Sequence, residues 1–182
     1  RAPRLHRDCH KFDPCISHMK LIDVLKLYDW AIEQDFPFKR APTAVGYSNQ
    51  DIYYCWLKGH GRGWVGTRQS IVKDPEIFSI LESPEVLMAT MACFTPGTEL
   101  GPHKDPPVYP KPYRRIQIPL LVHPTDCYMI WKGNKETWVA GEPKIYDVMD
   151  HVHEGYNFSD DDMVFMFLDI EKTNDNDSLQ GM

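Results

Sequence analysis

The sequence contains no apolar run approaching the about 20 residues that a transmembrane helix requires, so nothing in it predicts a membrane-spanning segment. Basic charge is also scarce, because 20 Lys and Arg stand against 26 Asp and Glu and the net charge is -6. The basic residues are dispersed along the chain, whereas nucleic-acid-binding domains usually concentrate them in a patch. These two features argue against a membrane or a nucleic acid as a partner.

Cysteine is sparse and unevenly spaced. The sequence has five cysteines, Cys9, Cys15, Cys55, Cys93 and Cys127. An odd number at irregular spacing is typical of reduced thiols rather than of a disulfide framework. This favours a cytoplasmic location, although a Cys9–Cys15 bridge stays open.

The 182 residues suit a single domain, and no internal repeat divides them. We expect residues 1–85 to form an N-terminal arm with helices and early strands. Residues 86–170 are expected to form a β core, and residues 171–182 a polar tail. The sequence begins at Arg1 rather than at methionine, from which we expect a trimmed or processed chain in which any targeting signal can be missing.

Two helices are predicted before the β core. Ser17 is the expected N-cap of the first, which reaches about to Gln34. Its buried stripe is predicted from spacings of three and four residues, at Leu21, Val24, Leu25, Tyr28 and Ile32. The second helix is predicted in "DPEIFSILE", where Asp74 is the N-cap and Pro75 occupies the first helical position.

The rest of the chain has the pattern of short strands separated by turns such as "KGNKE" and "AGEP". Strands are predicted at residues 51–58, 86–94, 114–122, 127–131, 144–148 and 163–170. Helices followed by many short strands indicate an all-β sandwich or barrel with helices packed on it.

One segment of the predicted core, "PHKDP", has the residue types of a metal site. His103 and Asp105 share a face if the segment is extended, and His151 or His153 lies far downstream. Two imidazoles and one carboxylate leave three positions open on iron(II), a set used by oxygenases. The alternative interpretation is that these residues are polar groups on the surface.

A second group of possible ligands lies near the start of the chain. It consists of His6, Cys9, His10, Cys15 and His18. Zinc can use such residues, but the spacings match none of the usual finger patterns. An irregular N-terminal arm is the alternative interpretation.

The region from Met91 to Ile170 resembles the aspartyl/asparaginyl β-hydroxylase family of iron(II)- and 2-oxoglutarate-dependent oxygenases. The resemblance rests on an ordered set of segments: "PGTELGPHKDP", "RRIQIPLLV", "ETWVAGEPKIYD", "HEGYN" and "MVFMFLDI", with "GWVGTRQSI" upstream. It implies a double-stranded β-helix, which is a jelly-roll or cupin-like barrel, with N-terminal helices buttressing one face.

The same resemblance implies roles for individual residues. His103 corresponds to the first iron ligand and His153 to the last, with His151 as the alternative. Asp105 makes the chain similar to members with a full triad, such as free-proline hydroxylases, whereas other members have glycine there.

The positions that would contact 2-oxoglutarate are Arg115, Gln117 and Met163. Arg115 retains the family's residue type, while Gln117 replaces a histidine. Met163 replaces the arginine that pairs with the distal carboxylate of 2-oxoglutarate, and Ala92 replaces a serine. Arg115 is the expected substitute cation, with Lys132 as another possibility.

The expected function is therefore hydroxylation of an unactivated C–H bond with iron(II), 2-oxoglutarate and dioxygen. The substrate is an aspartyl or asparaginyl residue of a peptide, or a free amino acid such as proline. Two alternatives stay open. One is a metal- or ligand-binding barrel that has lost its 2-oxoglutarate anchor, and the other is a zinc-dependent hydrolase.

Overall fold

The computed structural model describes residues 21–41, 48–59 and 66–172. Within these ranges the helices are α1 (Leu21–Ala31) and α2 (Pro75–Glu82). The strands are β1 (Lys39–Ala41), β2 (Ile52–Gly59), β3 (Gly66–Thr67), β4 (Val86–Phe94), β5 (Thr98–His103), β6 (Tyr113–Leu121), β7 (Cys127–Trp131), β8 (Asn134–Thr137), β9 (Lys144–Tyr146), β10 (His153–Asn157) and β11 (Met163–Glu171).

The strands of the described ranges form two antiparallel sheets. The larger sheet has the order β1-β2-β4-β11-β6-β9, with β3 added at β2, and the smaller has the order β5-β10-β7-β8. Strands that are neighbours in a sheet are often distant in the chain, as β4 and β11 are. This arrangement confirms the predicted mainly-β fold. No helix in the described part of the chain is long and apolar enough to cross a membrane.

The larger sheet separates two apolar cores because side chains alternate across its strands. On β6, Ile116 and Ile118 belong to the core shared with the helices, together with Val24 and Leu27 of α1. Tyr113 of the same strand belongs to the second core, between the two sheets. The helices therefore cover the outer face of the larger sheet, and its inner face is free to build a site against the smaller sheet.

The buried face of α1 differs from the prediction. Val24, Leu27 and Ala31 are buried, whereas Ile32 is 54% exposed. Residues at spacings of three and four also describe this face, and the small Ala31 lets the helix end close to the sheet. The predicted N-cap, Ser17, lies outside the described residues.

The predicted start of α2 is confirmed. The Asp74 carboxylate accepts hydrogen bonds from the backbone N–H groups of Glu76 at 2.8 Å and Ile77 at 3.1 Å. Pro75 follows at the first helical position, where a missing N–H has no cost. Ile77 and Leu81 then place the apolar face of the helix against the sheet.

Asp74→Ala is expected to lower the free energy of unfolding by about 1 kcal/mol, because two N–H groups of the first turn lose their acceptor. Urea denaturation measures the change. Asp74→Asn is the matched control, since asparagine caps helices about as well as aspartate. Equal destabilisation by both substitutions would contradict a capping role.

One turn predicted from the sequence is mostly strand. In "KGNKE", Asn134–Thr137 forms β8, which pairs with β7. The turn itself is confined to Lys132 and Gly133, whose φ angles are 51° and 80°. Two consecutive positive φ values are those of the tight hairpin turn that matches strand twist, so a shorter turn leaves more residues for the strand.

The cysteines of the described ranges are free thiols. Cys55, Cys93 and Cys127 are all buried. Burial raises the pKa of the Cys93 thiol to about 12, with a further contribution from the nearby Asp162. The Cys93 thiol therefore stays protonated and unreactive in the folded protein. Cys9 and Cys15, for which a bridge stayed open, lie outside the described residues.

Candidate metal centre

Two histidines meet across neighbouring strands of the smaller sheet. His103 ends β5 and His153 begins β10, and the two residues are direct partners in this antiparallel pair. Cross-strand partners carry their side chains on the same face of a sheet. The imidazole centroids are accordingly 4.2 Å apart. Strand register thus brings together two residues separated by 50 positions in the chain.

Asp105 completes the group from the loop that follows β5. Its backbone N–H donates to the carbonyl of Val148 at 3.0 Å, which ties this loop to the segment between β9 and β10. One carboxylate oxygen, Oδ1, lies 3.6 Å from His103 Nε2 and 3.7 Å from His153 Nε2. The three side chains are each less than 10% exposed.

Backbone carbonyls orient both imidazoles. His103 Nδ1 lies 2.7 Å from the Gly101 carbonyl, and His153 Nδ1 lies 3.2 Å from the His151 carbonyl. Because a carbonyl oxygen only accepts, each Nδ1 carries a proton, and in the neutral ring the Nε2 lone pair faces Asp105. Burial lowers the pKa of His153, and the neighbouring His103 lowers it further. A neutral ring with a free Nε2 is the form that binds a metal.

The chemistry and spacing of these groups fit a divalent metal ion. The ligand atoms of His103, Asp105 and His153 all lie within 4.8 Å of one another. Metal bonds of about 2.1 Å place adjacent ligand atoms of an octahedral ion about 3 Å apart, so small side-chain movements bring this group to that spacing. His151 lies outside the group, with its ring edge-on to Trp131 at 5.4 Å.

The second oxygen of Asp105 is held by a buried ionic network. Arg115 donates from Nη1 to Asp105 Oδ2, and from Nε and Nη2 to the two oxygens of Asp169 at 2.7 and 3.0 Å. Tyr109 donates its hydroxyl to Asp169 at 3.1 Å. Burial alone would lower the pKa of the Arg115 guanidinium, but Asp169 and Asp105 raise it well above its usual value. Arg115 is therefore a permanent cation that leaves Asp105 Oδ1 to face the histidines.

Sequence analysis did not identify Asp169 or Tyr109. Asp169 is fully buried and is the only carboxylate in the apolar run "MVFMFLDI". A lone carboxylate in a buried strand needs a cationic partner, so its position in that run was an available signal. No comparable signal marks Tyr109, which lies in an irregular segment after Asp105.

A cavity of about 70 Å³ lies beside the three candidate ligands. Arg115, Gln117 and Met163 all line it, as the resemblance led us to expect of residues near a co-substrate. Trp138 donates its indole N–H to the side-chain oxygen of Gln117 at 3.1 Å. Met163 is 2% exposed and is the direct strand partner of Phe94. A single water needs about 10–15 Å³, so the cavity accommodates a small molecule or several waters.

The aromatic residues near the candidate ligands occupy different positions. Phe94 and Trp138 line the cavity, whereas Tyr146 is buried and donates its hydroxyl to Glu136. Tyr128 stacks on Tyr156 at 4.9 Å. Trp131 lies edge-on to Tyr146 at 4.9 Å, and the Lys132 ammonium is 5.7 Å from the Trp131 ring.

Other candidates do not reach the described site. Ala92 is fully buried in the core between the sheets. Lys132 is absent from the described lining of the cavity. The N-terminal His and Cys group lies outside the described residues, as does Trp64 of the segment "GWVGTRQSI".

Comparison with known families identifies the family of the chain. A sequence model described as aspartyl/asparaginyl beta-hydroxylase matches residues 41–173, which is more than half of the chain. The chain belongs to this family. It is therefore an enzyme, a hydroxylase of the 2-oxoglutarate-dependent dioxygenase class, and a hydroxylase of this kind has a small-molecule or peptide substrate. No curated protein matches the chain significantly.

Solved structures share the fold. An oxidoreductase of the 2OG-Fe(II) oxygenase family from Burkholderia pseudomallei aligns with a TM-score of 0.57 at 13% identity, covering 82% of this chain and 79% of that one. A predicted oxalate decarboxylase from Thermotoga maritima aligns with a TM-score of 0.49 at 14% identity, covering 76% and 95%. At 13% identity, the alignment with the Burkholderia protein supports the fold alone.

Proposed function

We propose that the chain hydroxylates an unactivated C–H bond with iron(II) held by His103, Asp105 and His153 and a 2-oxo acid as co-substrate. The observation that carries the proposal is the convergence of these three side chains, with both Nε2 atoms and Asp105 Oδ1 facing one another. Three protein ligands leave coordination positions for the co-substrate and dioxygen. By family resemblance the 2-oxo acid is 2-oxoglutarate.

The residues around the cavity have different roles in the proposed reaction. Arg115 and Gln117 line the cavity next to the triad and offer N–H donors to the carboxylate of the 2-oxo acid. Asp169 keeps Arg115 in place, and Phe94 and Met163 form part of the apolar wall of the cavity. The chemistry supplied by the bound iron is the use of dioxygen to convert a C–H bond to C–OH, while the 2-oxo acid loses carbon dioxide and takes up the second oxygen atom.

For the substrate, we propose an aspartyl or asparaginyl side chain in a peptide or a free amino acid such as proline. The peptide substrates are suggested by the family's name. The free amino acid is suggested by Asp105, because members that keep this carboxylate include hydroxylases of free proline. Incubation with each class of substrate and detection of a 16 Da mass increase distinguishes the two.

Anaerobic addition of iron(II) and then 2-oxoglutarate tests the proposal. We expect a weak visible charge-transfer band that requires both additions and disappears in His103→Ala, since chelation of iron by the 2-oxo acid produces the band. His123→Ala is the control, because His123 lies in an exposed turn and pairs with Asp126. Iron binding without a band for any 2-oxo acid would contradict the co-substrate half of the proposal.

A second candidate function is a metal-binding barrel without oxygenase activity. The observation that favours it is Met163, a neutral side chain on the cavity wall at the position of the family's arginine. Under this alternative the protein binds iron(II) but no 2-oxo acid. The same anaerobic titration separates the two functions.

A further inference from the structure

The cavity beside the triad is walled by apolar side chains from both sheets. Its apolar lining includes Phe94, Met129, Trp138, Met163, Phe165 and Phe167. Phe94 lies edge-on to Phe165 at 6.3 Å, and Trp138 lies edge-on to Phe165 at 4.8 Å. These aromatic walls therefore support one another.

Charge on the cavity wall is negative rather than positive. Among the described lining residues, Arg115 is the only Lys or Arg, while Asp105 and Glu154 carry carboxylates. The Arg115 guanidinium already donates to both Asp105 and Asp169. With Arg115, Asp105 and Asp169 all charged, the sum of their charges is -1. Arg115 therefore has no surplus charge with which to neutralise a second carboxylate of a ligand.

The two ends of a 2-oxo acid require different surroundings in the cavity. Its carboxylate and keto oxygen meet the metal, whose positive charge offsets that end. A second carboxylate, such as that of 2-oxoglutarate, would enter the apolar part of the cavity. Burial of an unpaired carboxylate is strongly unfavourable, whereas an apolar group gains from burial in the same place.

We propose that this cavity binds a 2-oxo acid with an uncharged, apolar side chain in preference to 2-oxoglutarate. Met163 is the residue that sets this preference, because its buried side chain lies on the wall directly beside its strand partner Phe94. The inference rests on the proposed function, and it names the class of co-substrate for the same site.

Binding to the metal-loaded protein tests the preference without any turnover. Calorimetric titration of the manganese(II)-loaded protein with 2-oxopentanoate and with 2-oxoglutarate compares ligands of the same chain length that differ at the far end. We expect 2-oxopentanoate to bind at least about 10-fold more tightly. Equal binding, or tighter binding of 2-oxoglutarate, would overturn the inference while leaving the proposed function intact.

Substitution of Met163 provides a second measurement. Met163→Arg is expected to reverse the preference by at least about 10-fold, because a guanidinium pairs with the second carboxylate. Met163→Leu is the matched control and is expected to keep the preference for 2-oxopentanoate. If Met163→Arg fails to fold, the wild-type ratio still decides the question. Failure of every 2-oxo acid to bind the metal-loaded wild-type protein would instead refute the proposed function.

Discussion

His153→Ala is expected to lower the affinity for iron(II) by more than about 100-fold and to abolish hydroxylation. Loss of a group that merely orients a ligand costs about 10–100-fold in metal affinity, so loss of one of three ligands costs more. The His103 and Asp105 side chains that remain would offer two ligand atoms in place of three. Metal titration of the apo protein, followed by a hydroxylation assay, measures both effects.

His151→Ala is the matched control for this prediction. His151 lies two residues before His153 in the same segment, but its ring contacts Trp131 and lies outside the group of candidate ligands. Its contribution to the site is a backbone carbonyl that accepts from His153 Nδ1, and alanine retains that carbonyl. Iron affinity within about threefold of wild type is expected. A larger loss in His151→Ala than in His153→Ala would show that the third ligand is His151.

Asp169→Asn is expected to have the largest effect on stability, about 3–5 kcal/mol, because it leaves the largely buried Arg115 guanidinium without its principal partner. Burial raises the pKa of the Asp169 carboxyl while Arg115 opposes that rise, so the two groups depend on each other. We also expect iron affinity to fall by about 10–100-fold, since Arg115 then no longer holds Asp105 Oδ2 in place. Urea denaturation and metal titration measure the two effects separately.

Glu171→Gln is the control for Asp169→Asn. Glu171 lies two residues later on β11 and pairs with Lys111 at 2.8 Å, but this pair is largely exposed. Exposed ion pairs contribute about 0–1 kcal/mol, so little change is expected in stability and none in iron affinity. If Asp169→Asn loses stability yet binds iron as the wild type does, the network is structural and does not position Asp105.

Local patterns were sufficient for much of the fold. Asp74 and Pro75 specified the start of α2, and the alternation around Arg115 and Gln117 specified a strand with these residues on one face. Such features depend on a few neighbouring residues, which is why they can be predicted. The buried face of α1 could not be assigned in the same way, since two overlapping sets of residues satisfy the helical period and only packing against β6 selects Ala31 over Ile32.

By itself, the sequence determined the mainly-β class through its alternating pattern. An ordered set of motifs indicated the family and, by resemblance, the three residues proposed to bind iron, with His151 as the alternative to His153. Only the tertiary structure decided that His103 faces His153 and that Asp169 reaches Asp105 through Arg115. The physical reason is strand register. Periodicity indicates the face on which a side chain lies, but the partner across a sheet depends on how distant strands align.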